Sequence, residues 1–159
     1  MTLISVAAVA ENGVIGNDGE IPWESLPEDR RQYRARVADD AVALGRRTFE
    51  AMRNNLPGRA QIVLSRSNPS YDIETVAVVD GVEAAIEQAR RLEADRLYVL
   101  GGGAIYGLFQ PRLDRMVLSR VPGEYEGDTV YPDWDPTDWH LLEQTPYDGF
   151  TVEEYRRRS

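Results

Sequence analysis

The chain has 159 residues, 42% of them hydrophobic, with three Trp and eight Tyr. That is enough apolar material for one cored domain spanning 1–159, and it excludes a disordered chain. An excess of 27 acids over 18 bases gives a formal charge of −9, which argues against nucleic acid or an anionic membrane surface as a partner. With no cysteine and one histidine, His140, neither a disulfide framework nor a thiolate or multi-histidine metal centre is expected.

All 18 bases are Arg, because the sequence contains no Lys. Acid-rich, lysine-free composition is that of proteins from salt-loving cells, although a GC-rich genome also favours Arg codons. Charge of one sign implies self-repulsion that salt relieves and that opposes association, so a salt-dependent monomer is expected. The apolar start TLISVAAVA is too short, and too uncharged in front, for a signal peptide, and no apolar run approaches membrane-spanning length. A cytoplasmic protein is expected.

Taken in order, residues 3–9 (LISVAAV) form a nearly all-apolar run, as for a strand covered on both faces. A glycine-rich loop follows, with Gly13, Gly16 and Gly19 and the turn pairs Asn12-Gly13 and Asp18-Gly19. Pro22 stiffens its exit and Trp23 places a large apolar ring there. Leu26-Pro27-Glu28-Asp29 reads as a helix start, with Ser25 as N-cap and Glu28 as its capping-box partner, and the helix runs to about Val37. Residues 41–44 form a buried strand ending at Gly45, and Arg46-Arg47-Thr48-Phe49 open a helix to about Arg53. A turn at 56–59 leads to a strand at 61–65 and another at 75–79. Residues 82–92 are an amphipathic helix with Val82, Ala85, Ile86, Ala89 and Leu92 on one stripe. Residues 96–103 are a strand running into Gly101-Gly102-Gly103, with a short helix after them. The alternation predicts an α/β fold, a mostly parallel twisted sheet with helices on both faces. Strands at 115–121, 138–145 and 150–155 lack intervening helices and are expected to pair antiparallel at one edge. His140, in the second of these, reads as a surface residue.

Chemistry concentrates where strands end, since ligands of open α/β sheets bind beyond the strands' carboxyl ends. Gly45-Arg46-Arg47-Thr48, Ser65-Arg66 and Gly101-Gly102-Gly103 all stand there. Glycine permits close backbone approach and helix starts offer free N–H groups to an anion. The dinucleotide fingerprint G-x-G-x-x-G itself fails, because Ala104 and Tyr106 occupy positions that need glycine. In a chain at −9, gripping an anionic ligand requires local positive charge, and Arg grips phosphate or carboxylate bidentately. Arg46, Arg47 and Arg66 suit one phosphate monoester, and Arg59, after a Pro-Gly turn, suits a carboxylate. Asp29 and Tyr33, spaced i, i+4, share a helix face beneath the Asn12–Trp23 flap.

These segments, VAAVAENGVIG, IPWESLPED, LGRRTFEAM, LPGR, IVLSR, VLGGGAIY and EGDTVYPDW, occur in the order and spacing of the dihydrofolate reductase family, which the whole chain closely resembles. The resemblance implies NADPH-dependent reduction of 7,8-dihydrofolate to tetrahydrofolate, with hydride passing to pterin C6 and a proton to N5. It implies that Asp29 is the pocket acid that binds the pterin, that Ser119 bonds this acid and that Trp23 holds a nearby water. It makes Val6, Ala7, Tyr33, Met52, Leu56, Leu100 and Tyr106 walls of the substrate pocket and Arg59 the clamp on the glutamate carboxylate. The implied cofactor contacts are Ala8, Ile15, Gly16, Asn17, Gly19, Gly45, Arg46, Arg47, Thr48, Leu64, Ser65, Arg66, Gly101, Gly102, Gly103, Ala104, Ile105 and Tyr106, with a cis peptide at Gly101-Gly102.

Four positions depart from the family pattern. Ser25 lengthens the Trp-to-acid gap and makes Glu28 a rival to Asp29. Arg30 stands where an apolar residue is usual, Ile21 replaces a methionine at the flap tip, and Ala104 replaces an arginine. Two alternatives are a riboflavin-pathway pyrimidine reductase of the same fold and a non-catalytic nucleotide-binding protein.

Overall fold

In the computed structural model, which describes residues 1–159, the elements in chain order are β1 (Thr2–Ala10), β2 (Val14–Gly16), α1 (Pro27–Val37), β3 (Ala41–Gly45), α2 (Arg46–Met52), β4 (Ala60–Leu64), β5 (Val76–Val79), α3 (Val82–Arg91), β6 (Arg96–Val99), α4 (Gly103–Phe109), β7 (Arg115–Val121), β8 (Thr129–Val130), β9 (Trp139–Tyr147) and β10 (Phe150–Arg157). Eight strands share one sheet in the order β5-β4-β3-β6-β1-β7-β10-β9, and β2 pairs with β8 as a separate ribbon. The six strands from β5 to β7 are mutually parallel.

Parallel strands buried on both faces read as near-continuous apolar runs, and β3 and β4 are buried at every position, with Gln61 the one polar residue among them. The two faces carry separate cores. One joins Ala85, Ile86 and Ala89 of α3 and Tyr106 and Phe109 of α4 to Leu97, Val99 and Leu118. The other joins Val37 of α1 and Phe49 of α2 to Ile4, Val6, Val42, Leu44 and Val117.

As expected, the last three strands pair antiparallel at one edge of the sheet, with β10 lying between β7 and β9, while the other side of β7 runs parallel to β1. Two features differ from the sequence expectation. The β2–β8 ribbon was not foreseen, since three and two residues are too short for periodicity to register. Helix α1 starts at Pro27 with Leu26 as N-cap and no side-chain cap. Proline at the first helical position removes one orphan N–H and brings a φ already suited to the helix. The Ser25 hydroxyl instead accepts from Arg30 Nη2 at 2.9 Å.

The turn before β4 is tied down by a buried amide. Gln61 Nε2 donates to Pro57 O at 2.7 Å, and Thr75 Oγ1 donates to Gln61 Oε1 at 2.6 Å. Gly58 in this turn has φ +73°, and a Cβ there would stand 2.8 Å from Asp40 O. Gly58→Ala should therefore destabilise the fold by roughly 1–3 kcal/mol. A thermal melt indistinguishable from the parent would contradict this packing.

Candidate active site

Asp29 lies in the first turn of α1, half-buried, over the sheet face that carries the second core. Ser119, only 2% exposed in β7, donates from Oγ to Asp29 Oδ1 at 2.5 Å. The bond crosses from helix to sheet because Ser119 shares a face with Val117 and α1 packs on that face. Gln32 Nε2 donates to the same oxygen at 2.9 Å. Glu28 is exposed, so of the two rival acids only Asp29 is drawn inward.

An apolar wall adjoins the acid. Val6 and Leu100 belong to the core beneath α1, with Tyr33, Met52 and Leu56 packed partly buried against it. Burial pushes the Tyr33 hydroxyl above its ordinary range. Ala7, the next residue on β1, turns to the opposite face and packs in the core with Tyr106. Tyr106 Oη donates to Val6 O at 2.6 Å, and its ring covers Gly101, where a Cβ would meet it at 3.0 Å. Arg59 is exposed, with Nε donating to Asp39 O and Nη2 to Leu92 O, both at 3.0 Å. Those carbonyls hold it beside the turn that carries Leu56. Arg30, directed to Ser25, is exposed and does not join the apolar wall.

The ends of β3 and β6 meet beside this wall. Gly45 N donates to Gly101 O at 2.8 Å, and the Gly101–Gly102 peptide is cis. A Cβ at Gly45 would stand 3.0 Å from Ile105 Cγ1, and one at Gly103 would stand 2.5 Å from Thr129 Cγ2. Thr48 lines the same opening, with Oγ1 3.6 Å from where a Gly102 Cβ would lie. One strand further on, Leu64 is buried and Ser65 is half-buried. Arg46 Nη1 donates to Ser67 Oγ at 3.3 Å, and the Ser65 and Ser67 hydroxyls are 3.0 Å apart. Arg47, Arg66 and Ala104 are exposed on this rim. Glycine-lined backbone plus clustered Arg and hydroxyl groups suits a phosphate-bearing ligand.

The flap closes the third side. Trp23 is 8% exposed, packed with Ala10, Val14 and Val121, with half-buried Ala8 against them. Its ring meets Tyr125 edge-on at 5.6 Å. Ile15 packs on the α3–α4 core, while Gly16 leads into the tight turn Asn17–Glu20, where Asp18 and Gly19 have φ of 53° and 81°. Asp18 N donates to Asp128 Oδ2 at 3.0 Å, and Asn12 Nδ2 donates to Tyr125 O at 2.8 Å. The Asp18 N–H and the Thr129 hydroxyl hold the Asp128 carboxyl below the usual carboxylate range. Ile21 at the flap tip is 51% exposed.

Sequence reasoning missed Gln32, Ser67, Asp128 and Tyr131. Gln32 stands three residues after Asp29, a spacing that puts both on one helix face. Ser67, Asp128 and Tyr131 meet Arg46, Asp18 and Ser5 only through the fold, so sequence spacing does not announce those bonds.

A mostly parallel sheet with a half-buried acid, an apolar wall and a glycine-lined strand end defines an oxidoreductase-like nucleotide fold. The model of the dihydrofolate reductase family matches residues 2–157, and the chain belongs to that family. It is 40% identical to dihydrofolate reductase 1 of Haloarcula marismortui, covering 99% of this chain and 92% of that one. It is 34% identical to the dihydrofolate reductase HdrB of Haloferax volcanii, over 98% and 83%. Among solved structures, dihydrofolate reductase from Enterococcus faecalis, complexed with NADP(H) and RAB-propyl, superposes with a TM-score of 0.84 at 31% identity, covering 99% of this chain and 97% of that one. Neither alternative reading gains support from these matches.

Behind the site, Tyr131 Oη donates to Ser5 Oγ at 2.8 Å and joins the loop after β8 to β1. Burial pushes the Tyr131 hydroxyl up to about 12 and Tyr106 well above its usual range. A folded-state value raised above the unfolded one means that stability is fully present below the unfolded value and is lost as pH climbs through the folded one. The melting temperature should therefore fall between about pH 10 and 12 as these phenols ionise. A melt flat across that window, in Tyr131→Phe and parent alike, would contradict it.

Proposed function

We propose that the protein reduces 7,8-dihydrofolate to 5,6,7,8-tetrahydrofolate with NADPH, as one domain spanning 1–159. The observation that carries this reading is the Asp29 carboxylate, fixed to Ser119 at 2.5 Å, beside an apolar wall and the glycine-lined end of β6.

In this reading Asp29 accepts the pterin's 2-amino and N3 hydrogens, which sets the ring plane against Val6 and Leu100. Ser119 and Trp23 complete the catalytic group, Ser119 by holding the acid and Trp23 by placing a water under the flap. Ala7, through its backbone, and Tyr33, Met52, Leu56 and Tyr106 shape the rest of the substrate cleft. Arg59, anchored by two carbonyls, keeps Nη1 for the substrate's carboxylate.

NADPH, when bound, supplies the hydride that passes to C6 of the pterin. The glycine turn at Gly101 to Gly103 fits it, since a Cβ at Gly102 would meet only Thr48 Oγ1, at 3.6 Å, so the backbone at the head of α4 is open to close approach. Ala8, Ile15, Gly16, Asn17 and Gly19 approach from β1 and the flap, and Ala104, Ile105 and Tyr106 from α4. Thr48, Leu64 and Ser65 line the strand ends. Arg46, Arg47 and Arg66, with Ser67, are the groups to hold a 2′-phosphate and so prefer NADPH to NADH.

The protein's part is alignment, dryness and a route for the N5 proton. The ionised carboxylate favours proton uptake by the ring electrostatically, and water under the flap carries the proton. Closure of the Asn12–Trp23 flap against the Asp128 loop excludes bulk solvent.

Asp29→Asn should slow single-turnover hydride transfer at neutral pH by ~10²–10⁴-fold, the scale of general acid–base effects. Full activity in Asp29→Asn together with its loss in Glu28→Gln would reverse the assignment. Dihydrofolate-dependent oxidation of NADPH is the direct assay of the activity.

The protein also reads as a cytoplasmic, salt-adapted monomer. Support comes from its charge of −9, its lack of Lys and its likeness to two enzymes of halophilic archaea. No helix is long and apolar enough to cross a membrane. The melting temperature should be higher in molar KCl than in dilute buffer, because screening relieves self-repulsion. A melt insensitive to salt removes the salt-adapted reading.

A further inference from the structure

The acid does not act alone. Gln32 Nε2 donates to Asp29 Oδ1 at 2.9 Å, and Gln32 Oε1 accepts from Arg36 Nη2 at 3.4 Å. Arg36 Nη1 in turn bonds Glu154 Oε1 of β10 at 3.1 Å. A guanidinium only donates and an ionised carboxylate only accepts, so a single orientation of the Gln32 amide satisfies both neighbours. The Arg36 and Glu154 side chains are 27% and 23% exposed, so this pair is less screened than a surface one. Both donors to the acid, Gln32 and Ser119, fall on Oδ1, which leaves Oδ2 for a ligand.

We infer that Gln32 is a positioning residue for the reaction: its amide, oriented by Arg36, holds the Asp29 carboxylate turned so that Oδ2 meets the substrate. This rests on the reading of Asp29 as the acid that binds the pterin.

The other groups facing Asp29 do not perform this task. On α1, Glu28 is exposed, Arg30 is directed to Ser25, and Tyr33 is a phenol on the apolar wall. From β7 comes only the Ser119 hydroxyl, since Arg120 pairs with Glu153. Glu154 of β10 reaches the acid only through Arg36. From α4, the Tyr106 hydroxyl is engaged by Val6 O, and Glu24 beside Trp23 is exposed. The positive influence of Arg36 therefore arrives through the amide.

A hydrogen bond to the charged form of an acid favours that form. Its loss raises the proton affinity of the carboxylate–pterin pair, whichever partner holds the proton. The test is the pH profile of single-turnover hydride transfer in the full-length protein with NADPH and dihydrofolate. It is read with methotrexate affinity and melting temperature, for Gln32→Leu, Gln32→Glu and Asp29→Asn.

In Gln32→Leu the profile's midpoint should move up by about one pH unit, the scale of one lost hydrogen bond to a charged group. In Gln32→Glu, which sets a like charge against Asp29, it should move further in the same direction. Methotrexate should bind both variants more weakly at neutral pH. A merely structural role for Gln32 would lower the melting temperature, or the rate at every pH, and leave the midpoint in place; that result overturns the proposal. If Asp29→Asn loses hydride transfer while both Gln32 variants keep the parent midpoint, the acid assignment stands and the role of Gln32 fails. If Asp29→Asn keeps the parent rate, both fall together.

Discussion

The site depends on one carboxylate held across the seam between a helix and a sheet. Asp29 belongs to the first turn of α1 and Ser119 to the centre of β7, 90 residues further along the chain. Their bond is made because α1 packs its inner face on the sheet layer that contains Val117 and Val6. Move the helix by one turn, about 5.4 Å, and the acid faces solvent or apolar core. Pro27 at the first helical position helps to fix where that turn begins.

The remaining parts of the site follow from parallel strands ending at a common edge. Gly45 and Gly101 are bonded to each other because β3 and β6 are neighbours, although 56 residues separate them in sequence. The flap is closed from the opposite direction by the segment after β7. That segment brings Tyr125 to Trp23, Asp128 to Asp18 and Thr129 to Gly103. Tyr131 anchors the same segment to β1 through Ser5, so a buried hydrogen bond stands behind a polar loop. The loop and the glycine turn after β6 are thus joined through contact, with Thr129 common to both.

Charge is distributed unevenly with respect to this architecture. Surface ion pairs such as Arg91–Glu87, with side chains 70% and 55% exposed, contribute little to stability. Beyond the ends of β3 and β4, Arg47 and Arg66 stand exposed, while Arg46 is shared between Glu50 and Ser67. Local positive charge of this kind can offset a net negative charge that is screened at ordinary ionic strength.

Much of this was legible in the sequence. Largely apolar runs at 3–9, 41–44 and 61–65 announce parallel strands covered on both sides, and the 82–92 stripe announces α3. Pattern of that kind is local, because burial acts on each segment's own periodicity. Asp29 and the glycine triplet were likewise visible, as a residue type at a strand end or helix start. What tertiary structure alone decided is which oxygen is bonded to what. That β10 separates β7 from β9, and that Ser67 joins Arg46, depends on residues distant in sequence arriving at the same place. Even Gln32, only three residues from the acid, takes its meaning from Arg36 and from a glutamate on the last strand. Periodicity specifies which face is buried, and only packing specifies the partner that waits there.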